Sequence, residues 1–322
     1  MTIQQSTYAA PRADLGEAFM EYSLNDTRFA ASLILPVMPV MKKEATLSVI
    51  TRESMLKRAD AKRASGSAFN RVNLYAEDLS YACQEYGLEG PLPDDVRENY
   101  ASDFDAEEAT VRQVWHKLMN EREIRTASEI FDATTNWPSG TSALYTDVSS
   151  APWDAAGSDV IGHVIDAKEQ VRKNCGLNPN ALIIGAATLS NLLQNTGIKN
   201  RFPGVDLLTE SMLRGAMPSI FGIDRVVAGQ SVYDSKPEGT AFSGSDVWSD
   251  DYALVAVVAD PGDPLATPCI GRTVLWTGQS PEEWIVEQYR EEQTTSEIYR
   301  CRHYLEEKVF DPYFGHLLKV DA

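Results

Sequence analysis

One long amphipathic run constrains this chain more than any other feature. Val111, Val114, Trp115, Leu118 and Met119 recur at three- and four-residue spacing, the period of one helical face. The stripe lapses at Asn120–Glu123, resumes with Ile124, Ala127, Ile130 and Phe131, and ends at Trp137-Pro138. The pattern predicts a helix from about Asp105 to Asn136. Asp105 stands three residues before Glu108, as in a capping box, and an acidic first turn suits the helix dipole. At 1.5 Å per residue such a helix would be roughly 48 Å long. That exceeds the width of an ordinary compact domain, so the helix reads as a spine along which other elements are arranged.

The first 45 residues show no sustained period, and Pro11, Pro36 and Pro39 block long regular elements. Leu33-Ile34-Leu35 and Val37-Met38 are nonetheless strongly apolar, so this arm should lie against its own body or a neighbour's. Ala45–Thr51 and Phe69–Tyr75 are strand-like and flank a small, polar, basic segment from Ala59 to Asn70. They predict a long two-stranded hairpin with a mobile loop.

Beyond a Trp- and Pro-containing link from Trp137 to Trp153, elements alternate. Ser158 should cap a helix with Val160, Ile161, Val164, Ile165, Ala167 and Val171 inward and Gly176 as its stop. Ala181–Gly185 reads as a strand, then Leu189, Leu192 and Leu193 as a helix closed by Gly197. Leu207–Ala216 is amphipathic, Ile223–Ala228 is strand-like, and Gln230–Asp250 is a loop. Tyr252–Ala259 has the continuous apolar character of a buried strand. From Ser296 to Leu305 residues alternate, placing Tyr299, Cys301, His303 and Leu305 on one face. The fold class is α+β. The parts divide at 1–44 (arm), 45–95 (hairpin region), 96–150 (spine unit), 151–278 (compact α/β domain) and 279–322 (strands returning to the spine unit).

Charge excludes several functions. With 29 Lys+Arg against 47 Asp+Glu, the net charge is −18, which disfavours coating nucleic acid or docking on anionic lipid. The longest apolar stretch, Phe29–Met41, is broken by Ser32, Pro36 and Pro39, well short of the roughly 20 residues that span a membrane. Met1–Gly16 lacks the apolar core of a signal peptide. Cys83, Cys175, Cys269 and Cys301 are scattered, a pattern that suits free thiols in a reducing cytosol.

Catalytic chemistry finds little purchase. His116, His163, His303 and His316 lie in separate elements without metal-ligand spacing. His116 reads as a surface or interface residue, and His163 as a partner for Asp159 or Asp166. Asn180–Gly185 resembles a nucleotide-site strand, but Ala186-Ala187-Thr188 follows where glycines should. The doublets Glu282-Glu283, Glu291-Glu292 and Glu306-Glu307 lack the stepped spacing of a calcium loop and read as solvated faces. No catalytic residue, cofactor or metal site is expected. One window runs against the acidic background: Lys57, Arg58, Lys62, Arg63 and Arg71, with Asp60 the one acid among them. It reads either as a solvated loop or as an intermolecular clamp meeting Asp103, Asp105, Glu107 and Glu108 of another copy.

The order of segments resembles that of tailed-bacteriophage major capsid proteins over nearly the whole chain. Leu35-Pro36-Val37-Met38-Pro39-Val40 resembles the end of the family's arm, and Thr51-Arg52-Glu53 through Asp60, Arg63 and Gly66 the start of its extended loop. Tyr81–Glu89 and the acidic start of the long helix follow in place. Trp137, Trp153-Asp154 and Ser158–Ile161 resemble the passage into the family's apical domain. Leu177–Gly185, Ile198–Phe202 and Tyr289–Ser296 are similarly placed. The resemblance implies an N-terminal arm, an extended hairpin, a peripheral domain with a spine helix, and an apical domain.

It also implies pentamers and hexamers closing an icosahedral virion shell around double-stranded DNA, without sequence-specific binding and without a membrane. A portal, and scaffold or cement proteins, would be partners, with assembly in the host bacterial cytoplasm. The arm residues Leu33, Ile34 and Leu35, with Phe69 of the hairpin, would then bury across subunits. Lys62 is a conceivable cross-linking lysine, but no partner Asn or Glu can be assigned, and cross-linking is not expected. The alternatives are a cellular nanocompartment shell of the encapsulin kind, a tail or baseplate component, and an α/β small-molecule enzyme.

Overall fold

The computed structural model describes residues 10–11, 29–50, 52–63, 65, 68–73, 75–100, 105–202, 209–237, 239–264, 267–279 and 282–321. The spine helix runs Ala106–Ile130, or about 38 Å at 1.5 Å per residue. Asp105 caps it, accepting from the Glu107 and Glu108 N–H groups at 2.9 and 3.2 Å. The helix stops short of Asn136 because Asp132 offers the backbone another arrangement. Its Oδ1 accepts from the N–H groups of Thr134 and Thr135 at 2.9 and 3.1 Å, and from the Thr134 hydroxyl at 2.5 Å. Partial burial would raise this carboxyl, but the donors outweigh it and hold the pKa at about 2.

Two sheets lie along the spine, with strands numbered along the chain. In the first, β1 (Ala10–Pro11), β13 (Ile285–Glu291), β14 (Ser296–Val309), β12 (Gly271–Trp276) and β2 (Val37–Val40) follow in that order. β5 (Gln84–Pro93) pairs with β14 from the other side. The central β14 is antiparallel to β13 over 296–302 and to β12 over 305–309. Its Tyr299, Cys301, His303 and Leu305 are completely buried, as the alternation predicts. Tyr299 and Cys301 share a core with Val111, Val114, Trp115 and Leu118 of the spine.

The second sheet orders β6 (Tyr145–Asp147), β15 (Gly315–Lys319), β11 (Tyr252–Ala256), β7 (Ala181–Gly185) and β8 (Arg225–Gly229). Helices Val160–Cys175 and Glu210–Phe221 cover it, burying Val164, Ala167, Leu213 and Met217 against Leu182, Ile184 and Val255. Asp159, not Ser158, caps the first of these, accepting from the Gly162 N–H at 3.0 Å. The Ser158 hydroxyl instead donates to the Ala151 carbonyl. Gly176 ends this helix in the left-handed conformation, and Ile165 is half exposed rather than inward. After β7 come two short helices, Ala186–Leu192 and Thr196–Lys199, so Gly197 sits inside the second rather than closing the first. β11 ends at Ala256, short of Ala259, because the Asn180 side chain takes over the pairing. It accepts from the Val258 N–H and donates to the Val258 carbonyl, both at 2.8 Å.

The chain crosses between sheets more often than its sequence suggests. β12 lies in the first sheet although it falls within 151–278. β6 and β15 lie in the second although they fall within 96–150 and 279–322. One core unites Ile34 and Leu35 of the arm with Ala127 and Ile130 of the spine, Trp137, Trp248, and Ile183, Leu254 and Leu317 of the second sheet. All four cysteines are free and buried. Among the described residues no helix is long and apolar enough to cross a membrane.

Candidate assembly interface

A hairpin stands out from the first sheet. β3 (Glu44–Ile50) pairs with β4 (Ala76–Ala82) in antiparallel register from Glu44↔Ala82 to Ile50↔Ala76. The second strand begins at Ala76, not at Phe69, because the residues before it fold over the loop. Asn70 Nδ2 donates to the Asp60 carbonyl at 2.7 Å, and the Arg63 guanidinium lies 4.2 Å from the centre of the Phe69 ring. A two-stranded ribbon is marginal by itself, and this one is tied at its base. The Ala82 N–H donates to Glu306 and Lys308 Nζ to the Ser80 carbonyl, both at 2.6 Å. Ala45 and Leu47 pack against Met38, Tyr81, Cys83 and Val274.

At the far end a short helix, Arg52–Leu56, rests on the second-sheet unit of the same chain. The Arg52 guanidinium sits 3.1 Å from the centroid of the Tyr313 ring, and Leu56 lies beside Gly176. Immediately beyond, Lys57, Arg58, Lys62, Arg63 and Arg71 are all exposed. Asp60 is spent within the loop, accepting from the Lys62 N–H at 3.0 Å. Phe69 and Val72 are 74% and 72% exposed. The tip therefore presents positive charge and apolar surface together.

The acids expected to meet this tip cluster at the N-terminus of the spine. Asp103 lies outside the described residues. Asp105 is the helix cap, Glu107 pairs with Arg97 at 2.6 Å, and Glu108 pairs with Arg112 one turn on. Each therefore has a local partner, and the exposed Glu108–Arg112 pair is of the kind worth only ~0.2–1 kcal/mol. Basic tip and acidic helix end are carried on separate elements of one subunit.

The arm behaves differently from expectation. Ile34 and Leu35 are completely buried in their own subunit's core, while Leu33 is 51% exposed. The hydrogen bond from the Thr273 hydroxyl to the Leu35 carbonyl and the parallel pairing of β2 with β12 fix this path. Of the apolar groups expected to bury across subunits, Leu33 and Phe69 remain outward.

Sequence reading missed a buried polar layer at the lapse in the spine stripe. Arg122 and Glu123 are 2% and 0% exposed. Arg122 pairs with Glu283, and Arg125 with Glu307 at 2.9 Å. Two of the three acidic doublets are thus not simply solvated faces: Glu283 and Glu307 hold spine arginines and Glu306 holds the hairpin, whereas Glu291 and Glu292 are exposed as expected. The sequence signal was the interruption itself, charged residues at positions where the helical period demands burial. Below this layer His303 is buried against Trp284, ring centroids 4.3 Å apart. Burial, with Arg122 and Arg125 nearby, drives its pKa down to about 2.

Other candidate groups are engaged structurally. His116 meets the Phe29 ring at 5.6 Å, and His163 accepts from the Trp153 indole at 3.2 Å rather than pairing with Asp159 or Asp166. The C-terminal end of β7, whose likeness to a nucleotide-site strand lacks the glycines that should follow, is covered by the backbone of Trp248 and Ser249. A cleft of about 880 Å³ separates the spine and β5 from the small β9–β10 ribbon (Val232–Tyr233 and Ser245–Asp246). Asp250, Asp251 and Asp321 bring carboxylate oxygens within 4.8 Å of one another, an acidic rim not picked out in the sequence.

No established family profile matches the chain. It is 25% identical over 248 residues, 76% of each sequence, to the major capsid protein of Burkholderia phage BcepMu. A phage-related protein from Bordetella bronchiseptica RB50 superposes with a TM-score of 0.73 at 20% identity, over 97% of this chain and 98% of that one. The capsid of a native GTA particle gives 0.60 at 12% identity, over 92% and 91%. The encapsulin of Synechococcus elongatus gives 0.53 at 9%, over 94% and 95%.

Proposed function

From the tailed-phage capsid fold that this chain has, we propose that it is a major capsid protein, assembling as pentamers and hexamers into an icosahedral shell around packaged double-stranded DNA. The observation that carries this reading is a likeness to a phage-related structure over 97% of the chain, joined by sequence similarity to a phage major capsid protein. The role is structural rather than enzymatic, and its place is the virion.

The chemistry of assembly is that of many weak repeated contacts. A tip carrying Lys57, Arg58, Lys62, Arg63 and Arg71 beside exposed Phe69 suits a neighbour with acidic surface. Asp105, Glu107 and Glu108, with Asp103, are the favoured partners. Because Glu108 already holds a surface ion pair, exchange of its partner costs little, and contacts stay reversible while the shell corrects its geometry. Phe69 and Leu33 add apolar burial that salt does not screen. With a net charge of −18, subunit surface facing the lumen repels phosphates and lets DNA pack without sticking. A portal, and scaffold or cement proteins, complete the particle.

A nanocompartment shell is the second reading, supported by the encapsulin likeness, which is weaker than the phage one (0.53 against 0.73). Expression alone and with candidate scaffolds, followed by electron microscopy, tests both. Closed shells that fill with DNA through a portal are the expected result. Closed shells loaded with protein cargo would favour the second reading, and a stable monomer under every condition would overturn both.

A further inference from the structure

The polar layer of the spine is built around one carboxylate. Glu123 is 0% exposed, yet donors from two distant segments converge on it. The Ala31 N–H gives to Oε1 at 2.6 Å, and the Trp248 indole N–H gives to Oε2 at 2.7 Å. Ala31 opens the short arm helix Ala31–Ile34, whose N-cap residue, Ala30, has no side-chain acceptor for the first-turn donors. Glu123 supplies that acceptor from across the core.

Trp248 is equally fixed. Its indole lies on Gly229, where any side chain would collide with the ring, and meets Phe131 edge-to-face at 5.6 Å and 89°. One carboxylate therefore joins the arm, the spine and the second-sheet unit. Burial raises the pKa of Glu123, against the opposing pull of its two donors and Arg122. A buried carboxylate is a costly way to fill this space, offset only by the hydrogen bonds it accepts. What it adds is direction: apolar contacts tolerate sliding, whereas two converging N–H···O bonds do not.

We propose that Glu123 is a positioning residue for shell formation, clasping the arm helix and the Trp248 loop to the spine so that arm docking and the angle between the two sheet units are set together. This role rests on the shell reading given above. Glu123→Gln keeps the shape but turns one acceptor into an amide donor facing an N–H group. Trp248→Phe keeps an aromatic ring and removes the indole donor.

In the unassembled chain, hydrogen exchange of the arm-helix peptide, residues 29–35, should speed about tenfold in Glu123→Gln, matching loss of one charge-assisted bond. Trp248→Phe should also speed it, and should add nothing in the Glu123→Gln background, because its path to the arm runs through that carboxylate. Under assembly conditions both variants should keep wild-type circular dichroism but give shells of broadened diameter or open sheets. Trp248→Phe carries the test if Glu123→Gln does not fold. Unchanged arm exchange overturns the clasp whether or not shells form, since it is read on free subunits. Wild-type shells from both variants overturn the positioning role even with faster exchange. A wild-type chain that never assembles strikes the shell reading instead, and the exchange result still decides the clasp.

Discussion

The arm around Leu35 and the hairpin tip around Phe69 carry similar apolar side chains and end in opposite places. Ile34 and Leu35 are completely buried, whereas Phe69 and Val72 are more than two-thirds exposed. The difference lies in what each backbone is offered. The arm finds an acceptor in Glu123, a parallel strand in β12 and a core shared with the spine and the second sheet. The tip finds its own loop, one arginine stacked on a tyrosine and one leucine beside a glycine. Apolar character tells that a segment needs cover. It does not tell whether the cover belongs to the same subunit.

The largest expected effect falls on the buried side. Leu35→Ala should cost the isolated subunit about 2–5 kcal/mol in urea denaturation, the usual cost of emptying such a site. A loss below about 1 kcal/mol would mean that the arm is not core.

Acid should also load the buried interior, at His303 of β14. His303 is held at about 2 by burial and by Arg122 and Arg125, against 6.5 for an ordinary histidine. Below that ordinary value the unfolded chain binds a proton that the folded chain refuses. Stability therefore falls as pH drops, by about 1.4 kcal/mol per unit from this group. His303→Phe keeps a ring against Trp284 and should flatten thermal melts between about pH 6 and pH 4. An unchanged pH profile would show that His303 is solvated.

On the exposed side, subunit stability should hardly move while assembly does. Charge reversal at Lys62 and Arg63 should cut particle yield at low salt with melting temperature unchanged, and the deficit should shrink as added salt screens the wild type too. Unchanged yield would remove the clamp. Phe69→Ala should be the mildest in the subunit, within about 0.5 kcal/mol of wild type, yet raise the concentration needed for assembly. A large loss of subunit stability would place Phe69 in a core after all.

Local chemistry was legible in the sequence, and long-range pairing was not. The spine helix, its Asp105 cap, the strand Ala181–Gly185 and the inward face of Ser296–Leu305 follow from period and capping, which act within a few residues. The end of the spine was misplaced because the Asp132 turn competes with the helix through side-chain acceptors that periodicity ignores. The polar lapse at Asn120–Glu123 could not be understood locally, since the partners of Arg122 and Glu123 lie at Glu283, Ala31 and Trp248. Of the candidate interface, the basic loop is exposed in the free subunit, as either reading of it requires. The acids proposed to meet it are visible in the sequence as charges, without the local pairs that Glu107 and Glu108 make.

The contrast between arm and tip is tested most directly by hydrogen exchange on the same chain before and after assembly. Residues 29–35 should be protected in both states, and residues 57–73 should gain protection only in the shell. An arm that becomes protected only on assembly, or a tip equally protected in the free subunit, would contradict the account.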